Sequence, residues 1–102
     1  MKLVKINRNI EFLKHIKEQK AIVLPISNDL QELEENDLLK FTYKREVEEF
    51  GEIFTDKDGY EKMRVRVHRV DTEHENLYLV ISISQEFNTV LLRRILWAVK
   101  KR

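Results

Sequence analysis

The chain has no cysteine, two glycines, one proline and one tryptophan in 102 residues. Without cysteine there can be no disulfide, thiolate zinc site or cysteine nucleophile, and the redox compartment leaves no trace in the sequence. Two glycines can hardly build a phosphate-cradling loop, and no serine sits in a nucleophile elbow. No apolar run approaches the ~18–20 residues of a membrane span. Met1–Ile6 is too short and too charged for a signal peptide, so the expectation is a protein that stays in the cytosol and has no membrane partner.

Hydrophobic residues make up 42% and charged residues 36% of the chain. The apolar residues are spread along its whole length, which marks a globular domain rather than a disordered segment. A chain of this size hides ~60–65% of its surface on folding, enough for one core without staples. The net charge is +1, but the charge is segmented. Asp29–Glu52 is acidic, whereas Lys62–Val70 and the stretch after Glu86 are basic. Two accounts fit: complementarity between segments in the fold, or a basic face for nucleic acid or an acidic protein. The weighting toward Glu and Lys, with few glycines and prolines, also fits the surface ion networks and stiff loops of hyperthermophile proteins.

Periodicity predicts an α+β domain. Lys2–Asn7 alternates as a strand. Asn9 caps a helix whose apolar side is Ile10, Phe12, Leu13 and Ile16, with Glu11 in the first turn. Ala21–Ile26 is a short apolar strand, with Pro25 at an edge or strand end. Ser27–Asn28–Asp29 caps a short helix carrying Leu30 and Leu33. A further strand begins near Leu38 and is interrupted by a bulge at Gly51. Asp56–Gly59 is a hairpin turn into a strand of alternating Met63, Val65, Val67 and Arg64, Arg66, His68. Asp71–Asn76 reads as a polar turn, Leu77–Ser84 as another strand, and Ser84 as the cap of a final helix to about Lys100.

Ala21–Leu30 and Tyr78–Phe87 match in chemical type at eight of ten positions without a gap. This suggests an internal repeat, residues 1–40 and 61–102, joined by an extended hairpin segment. The expected architecture is a mostly antiparallel sheet with helices packed on it, built as two similar strand–helix motifs in tandem with a groove at their seam. Over its full length the chain resembles the small orphan proteins of an archaeal filamentous virus, Acidianus filamentous virus. That resemblance rests on no functional motif. It implies a viral protein working in a host cytoplasm at high temperature, and it supplies no active-site residue.

No constellation points to catalysis, a cofactor or a metal. His15 and His68 have no neighbours at metal-ligand spacing. Asp71–Glu75 gathers carboxylates around His74 but reads equally as a solvated turn. Asp56–Gly59 lacks the later ligands of a calcium loop. Glu18-Gln19-Lys20 is a helix exit before it is a nuclease fragment. The final segment is the most informative. On a helical wheel its apolar residues cover ~260°, more than a helix resting on one core requires. The excess predicts a protein- or peptide-binding surface anchored by Trp97, Leu92, Leu96, Tyr43 and Tyr78. Binding is expected in the groove between the motifs or along an exposed strand edge. The alternative is nucleic-acid binding through Arg64, Arg66, Arg69, Arg93, Lys100 and Lys101, although no stacking aromatics interleave with them and cross-strand acids stand ready to consume their charge. Homodimerisation through the last helix is a third candidate.

Overall fold

The computed structural model describes residues 1–95. They form one mixed sheet of five strands with a single short helix, not helices layered on a sheet. The strands are β1 (Leu3–Asn7), β2 (Ala21–Pro25), β3 (Leu38–Thr55), β4 (Glu61–Ser84) and β5 (Thr89–Ile95); α1 is Ile10–Ile16. In space the strands run β1-β3-β4-β5-β2. β1 lies parallel to β3, and every other pairing is antiparallel.

Local chemistry explains the elements that form as expected. The Asn9 side chain accepts the Glu11 amide at 2.7 Å, the capping bond that starts α1. Pro25 ends β2, an edge strand, where its missing donor costs the sheet little. Asp56 folds the hairpin turn by accepting the amides of Asp58 and Tyr60, and Gly59 takes φ +88°, a conformation that L side chains resist. At Gly51 the register slips between Phe50 and Ile53, which is the expected bulge. There a Cβ would lie 3.4 Å from the Arg64 carbonyl oxygen, a tight fit.

Three expectations are corrected. The polar stretch Asp71–Asn76 is no turn: β4 runs unbroken through it, so two expected strands are one. The helix after Ser27 is a single 3₁₀ turn, Asn28–Leu30. The expected final helix is a strand as far as it is described. Ser84 does act as a cap, since its hydroxyl accepts the Phe87 amide at 3.2 Å, but it caps a tight turn closed by Asn88 at φ 52°. β5 then slots between β4 and β2. A strand flanked on both sides can carry apolar residues on both faces, which accounts for the apolar character of Val90–Leu92 and Ile95 without a helix. The tandem strand–helix motifs, and the groove between them, therefore do not form. Ala21–Leu30 and Tyr78–Phe87 share only a strand leading into a serine-led turn.

The core lies on one face of the sheet under α1 and the 28–37 segment. Leu13 and Ile16 of α1, with Leu30 and Leu33, cover Ile6, Ile22, Leu24, Leu39, Phe41, Tyr78, Val80, Val90 and Leu92. Asp37 pins that cover. Its buried carboxylate accepts the amides of Lys2 at 3.1 Å and Glu34 at 2.9 Å, while its carbonyl accepts the Val80 amide. Burial pushes the Asp37 pKa up, but these amides and the Lys2 ammonium outweigh it and hold the carboxyl below its ordinary value.

β1 flanks β3 only along Leu38–Thr42, and β5 flanks β4 only along Leu77–Ser84. The rest of the long hairpin, Tyr43–Thr55 with Glu61–Asn76, has no third strand among the described residues and projects as a two-stranded arm. At ~3.3 Å per residue it reaches roughly 43 Å. The radius of gyration is 20.1 Å and the long axis 67 Å, whereas a compact chain of this length has a radius of about 13 Å. Of the buried residues, His74 alone lies in the arm.

Candidate functional site: a projecting β-ribbon

Cross-strand partners share a face and successive residues alternate, so the register sorts the arm's side chains onto two faces. On the side continuous with the core stand Tyr43/Thr72, Arg45/Val70, Val47/His68, Glu49/Arg66 and Phe54/Lys62. On the opposite side stand Lys44/Asp71, Glu46/Arg69, Glu48/Val67, Phe50/Val65 and Ile53/Met63. The bulge at Gly51 matters here. Without the extra residue Ile53 would face away from Phe50, and with it the two share a face. The result is an exposed apolar patch of Phe50, Ile53, Met63, Val65 and Val67, each between 46% and 66% accessible. Contiguous exposed apolar surface of this kind is a general mark of interaction sites.

That patch is the feature the sequence reasoning missed. The same residues are legible as alternating strands, but their exposure depends on whether a third strand or a helix covers them. The one local signal was the Gly51 bulge, which places Phe50 and Ile53 together.

The expected binding residues that the structure describes form no surface patch. Leu92 and Tyr78 are fully buried in the core and offer no surface; both sit on the sheet face that α1 covers. The Tyr78 hydroxyl accepts from Asn76 at 3.2 Å, and burial pushes its pKa up. Tyr43 is half-buried against the core at the base of the arm. Trp97 and Leu96 lie outside the described residues, as do Lys100 and Lys101.

Several of the arm's basic residues already have partners. Arg69 lies 3.8 Å from Glu46, Lys44 lies 2.6 Å from Asp71, and Lys62 lies 2.9 Å from Asp56. Arg66 is cross-strand from Glu49, and Arg64 stacks 4.8 Å over the Phe54 ring. Arg93 is on β5, cross-strand from Leu79 and far from the arm's arginines in the sheet. Between Tyr43 and Asn76 there are ten carboxylates and seven Lys or Arg side chains. The arm as a whole carries more acid than base, whereas its core-side face sets Arg45, Arg66 and Lys62 against Glu49.

Asp71–Glu75 does not converge on a metal. In a strand its side chains alternate, so His74 enters the core while Asp71, Glu73 and Glu75 point to the other side. Those acids pair with Lys44, Lys5 and Lys17 at 2.6, 2.6 and 3.0 Å. Among the described residues no three His, Cys, Asp or Glu side chains are placed to hold a metal ion. No helix among them is long and apolar enough to cross a membrane.

His74 is 8% accessible, and burial pushes its pKa below the ordinary value, with Glu75 opposing and Lys17 and Lys40 reinforcing the shift. Its Nδ1 accepts the Asn76 amide at 3.4 Å. The folded chain therefore keeps the imidazole neutral, whereas the unfolded chain takes a proton near pH ~6.5. Below that pH the unfolded state binds more protons, so this contribution is complete above about pH 6.5 and is lost as pH falls through the depressed pKa. Thermal denaturation should show the melting temperature dropping more between about pH 7 and pH 5 in the wild type than in His74→Leu. Parallel pH curves for the two chains would show that His74 is not the group responsible.

The chain matches no protein-family model, no curated protein and no solved structure.

Proposed function

We propose that this protein is a non-catalytic binding module that offers the arm, by its apolar face and its unpaired strand edges, to another polypeptide. The observation that carries the reading is the arm itself. A two-stranded ribbon roughly 43 Å long brings five exposed apolar side chains clear of the body. An isolated hairpin gains little stability of its own, so a ribbon of this length is better explained by what it contacts than by the core it supports. Free edges add main-chain donors and acceptors that an extended segment can pair with. In the setting that the sequence resemblance implies, the partner is a viral or host protein in a host cytoplasm. Nucleic acid ranks second because Arg66 and Arg69 stand opposite acids and Arg64 lies over an aromatic ring, which leaves Arg45, opposite Val70, as the one arm arginine without such a neighbour.

The test compares the tagged full chain with a shortened one in which Glu48–Val67 is replaced by an asparagine–glycine turn. That turn joins Val47 to its cross-strand partner His68 in the two-residue loop hairpins favour. Both are used to capture proteins from host lysate with and without nuclease. Discrete bands that survive nuclease and vanish with the shortened arm are expected. Bands retained by the shortened chain, or bands that disappear with nuclease, would overturn the reading.

A further inference from the structure

The arm's apolar patch is one end of a longer face. The same side of the sheet continues into the body, where Leu38 pairs with Leu79, Leu77 with Ile95, and Val23 with Leu91. α1 covers the other side. Among the described residues no helix or strand lies over this side. Leu3 and Val23 are 51% and 62% accessible. Between the two apolar zones runs a charged band: Glu46 opposite Arg69, then Lys44 opposite Asp71.

We infer that the occupant of this face is a second copy of the chain, packed face to face about a two-fold axis that runs along the arm between β3 and β4. Such an axis places β3 of one copy over β4 of the other, rung for rung. Phe50 then meets Val65 of the second copy, Ile53 meets Met63, and Leu38 meets Leu79. Glu46 meets Arg69, and Lys44 meets Asp71. The rungs Glu46/Arg69 and Lys44/Asp71 each carry one acid and one base, so the exchange of strands turns these two intramolecular pairings into intermolecular ones. A two-fold axis across the arm at Phe50, the middle of the apolar patch, fails this condition, because it sets Glu46 over Thr55.

The size also suits a dimer. The arm face, roughly 43 by 10 Å, and the four body strands that overlap about this axis, roughly 17 by 19 Å, come to about 750 Å² per copy. That is the area a specific interface of ordinary size takes from each partner. The apolar side chains supply the burial, and the band sets the register.

This inference rests on the reading of the arm as a binding element, and the test separates the two. Sedimentation equilibrium of the wild type is expected to show a monomer–dimer equilibrium. Val65→Glu enters the interface twice and should weaken pairing by roughly a hundredfold or more. Because Val65 is half exposed, circular dichroism should find the variant folded. The decisive experiment uses Glu46→Arg and Arg69→Glu. Each alone sets like charges across the two-fold and should be a monomer. Mixed, the arginine introduced by the first lies opposite the glutamate introduced by the second, the native Arg69 of the first lies opposite the native Glu46 of the second, and dimers should reappear. A mixture that stays monomeric, or a wild type that is monomeric at every concentration, overturns the dimer. If the lysate capture still depends on the arm in that case, the binding-module reading stands without it. A dimer whose arm captures nothing would instead leave the two-fold packing intact and remove the wider reading.

Discussion

Replacing Phe41 by alanine is expected to cost about 3–5 kcal/mol, the range for removing a buried aromatic ring. Phe41 is fully buried and joins the two layers of the body. Its ring meets Phe12 of α1 edge-on at 5.9 Å and Tyr78 of β4 edge-on at 5.4 Å. Edge-to-face pairs of this kind add to simple burial. The core is small, thirteen apolar side chains among the described residues, and domain stabilities run at about 5–15 kcal/mol. The variant should therefore unfold at far lower denaturant than the wild type with an unchanged slope. Chemical denaturation followed by far-ultraviolet circular dichroism checks this. A loss under about 1 kcal/mol would mean that the site collapses around the missing ring and that the three-ring cluster does not hold the layers together.

The second large effect is a gradient of amide exchange. In dilute solution, where chains stay apart, amides in Lys44–Phe54 and Lys62–Asp71 should exchange roughly a thousandfold or more faster than those of Leu39, Phe41, Tyr78 and Val80. The first group is bonded only across a two-stranded ribbon with solvent on both faces and carries no buried core residue. The second group lies between flanking strands beneath α1. Opening the ribbon therefore exposes little apolar surface, whereas opening the body exposes the whole core. Raising the protein concentration should slow exchange in the arm and leave the body unchanged if arms pair face to face. Uniform exchange along β3 and β4 would contradict the division into body and arm.

What could be read from the sequence was whatever neighbouring residues decide. Asn9 before Glu11 starts α1, Asp56 and Gly59 make the turn, and Gly51 slips the register. What failed was whatever depends on distant partners. Asp71–Asn76 looks like a turn because a ribbon wetted on both faces has the composition of a turn. Its alternation was nevertheless present: the acids Asp71, Glu73 and Glu75 are exposed, and Thr72, His74 and Asn76 are half-buried or buried. Thr89–Ile95 looks like a helix because a strand between two others is apolar on both faces, and only Asn88 at positive φ marks the turn before it. The arm patch was hidden for the same reason. Val65, Phe50 and Ile53 show from sequence that they belong to strands, not that nothing in the body covers them.

The position of β5 has a consequence for how the chain is made. β2 is an edge strand whose only sheet partner among the described residues is β5, and Pro25 is synthesised some sixty residues before its partner Thr89. At about 5–20 residues per second the ribosome needs roughly three to twelve seconds to cover that gap. Throughout it Ile22 and Leu24 have no strand beside them, while α1 and the β3–β4 hairpin can already form. The nascent chain thus exposes one apolar strand until translation is nearly past β5, and a chaperone or a neighbouring nascent chain has that interval in which to take it.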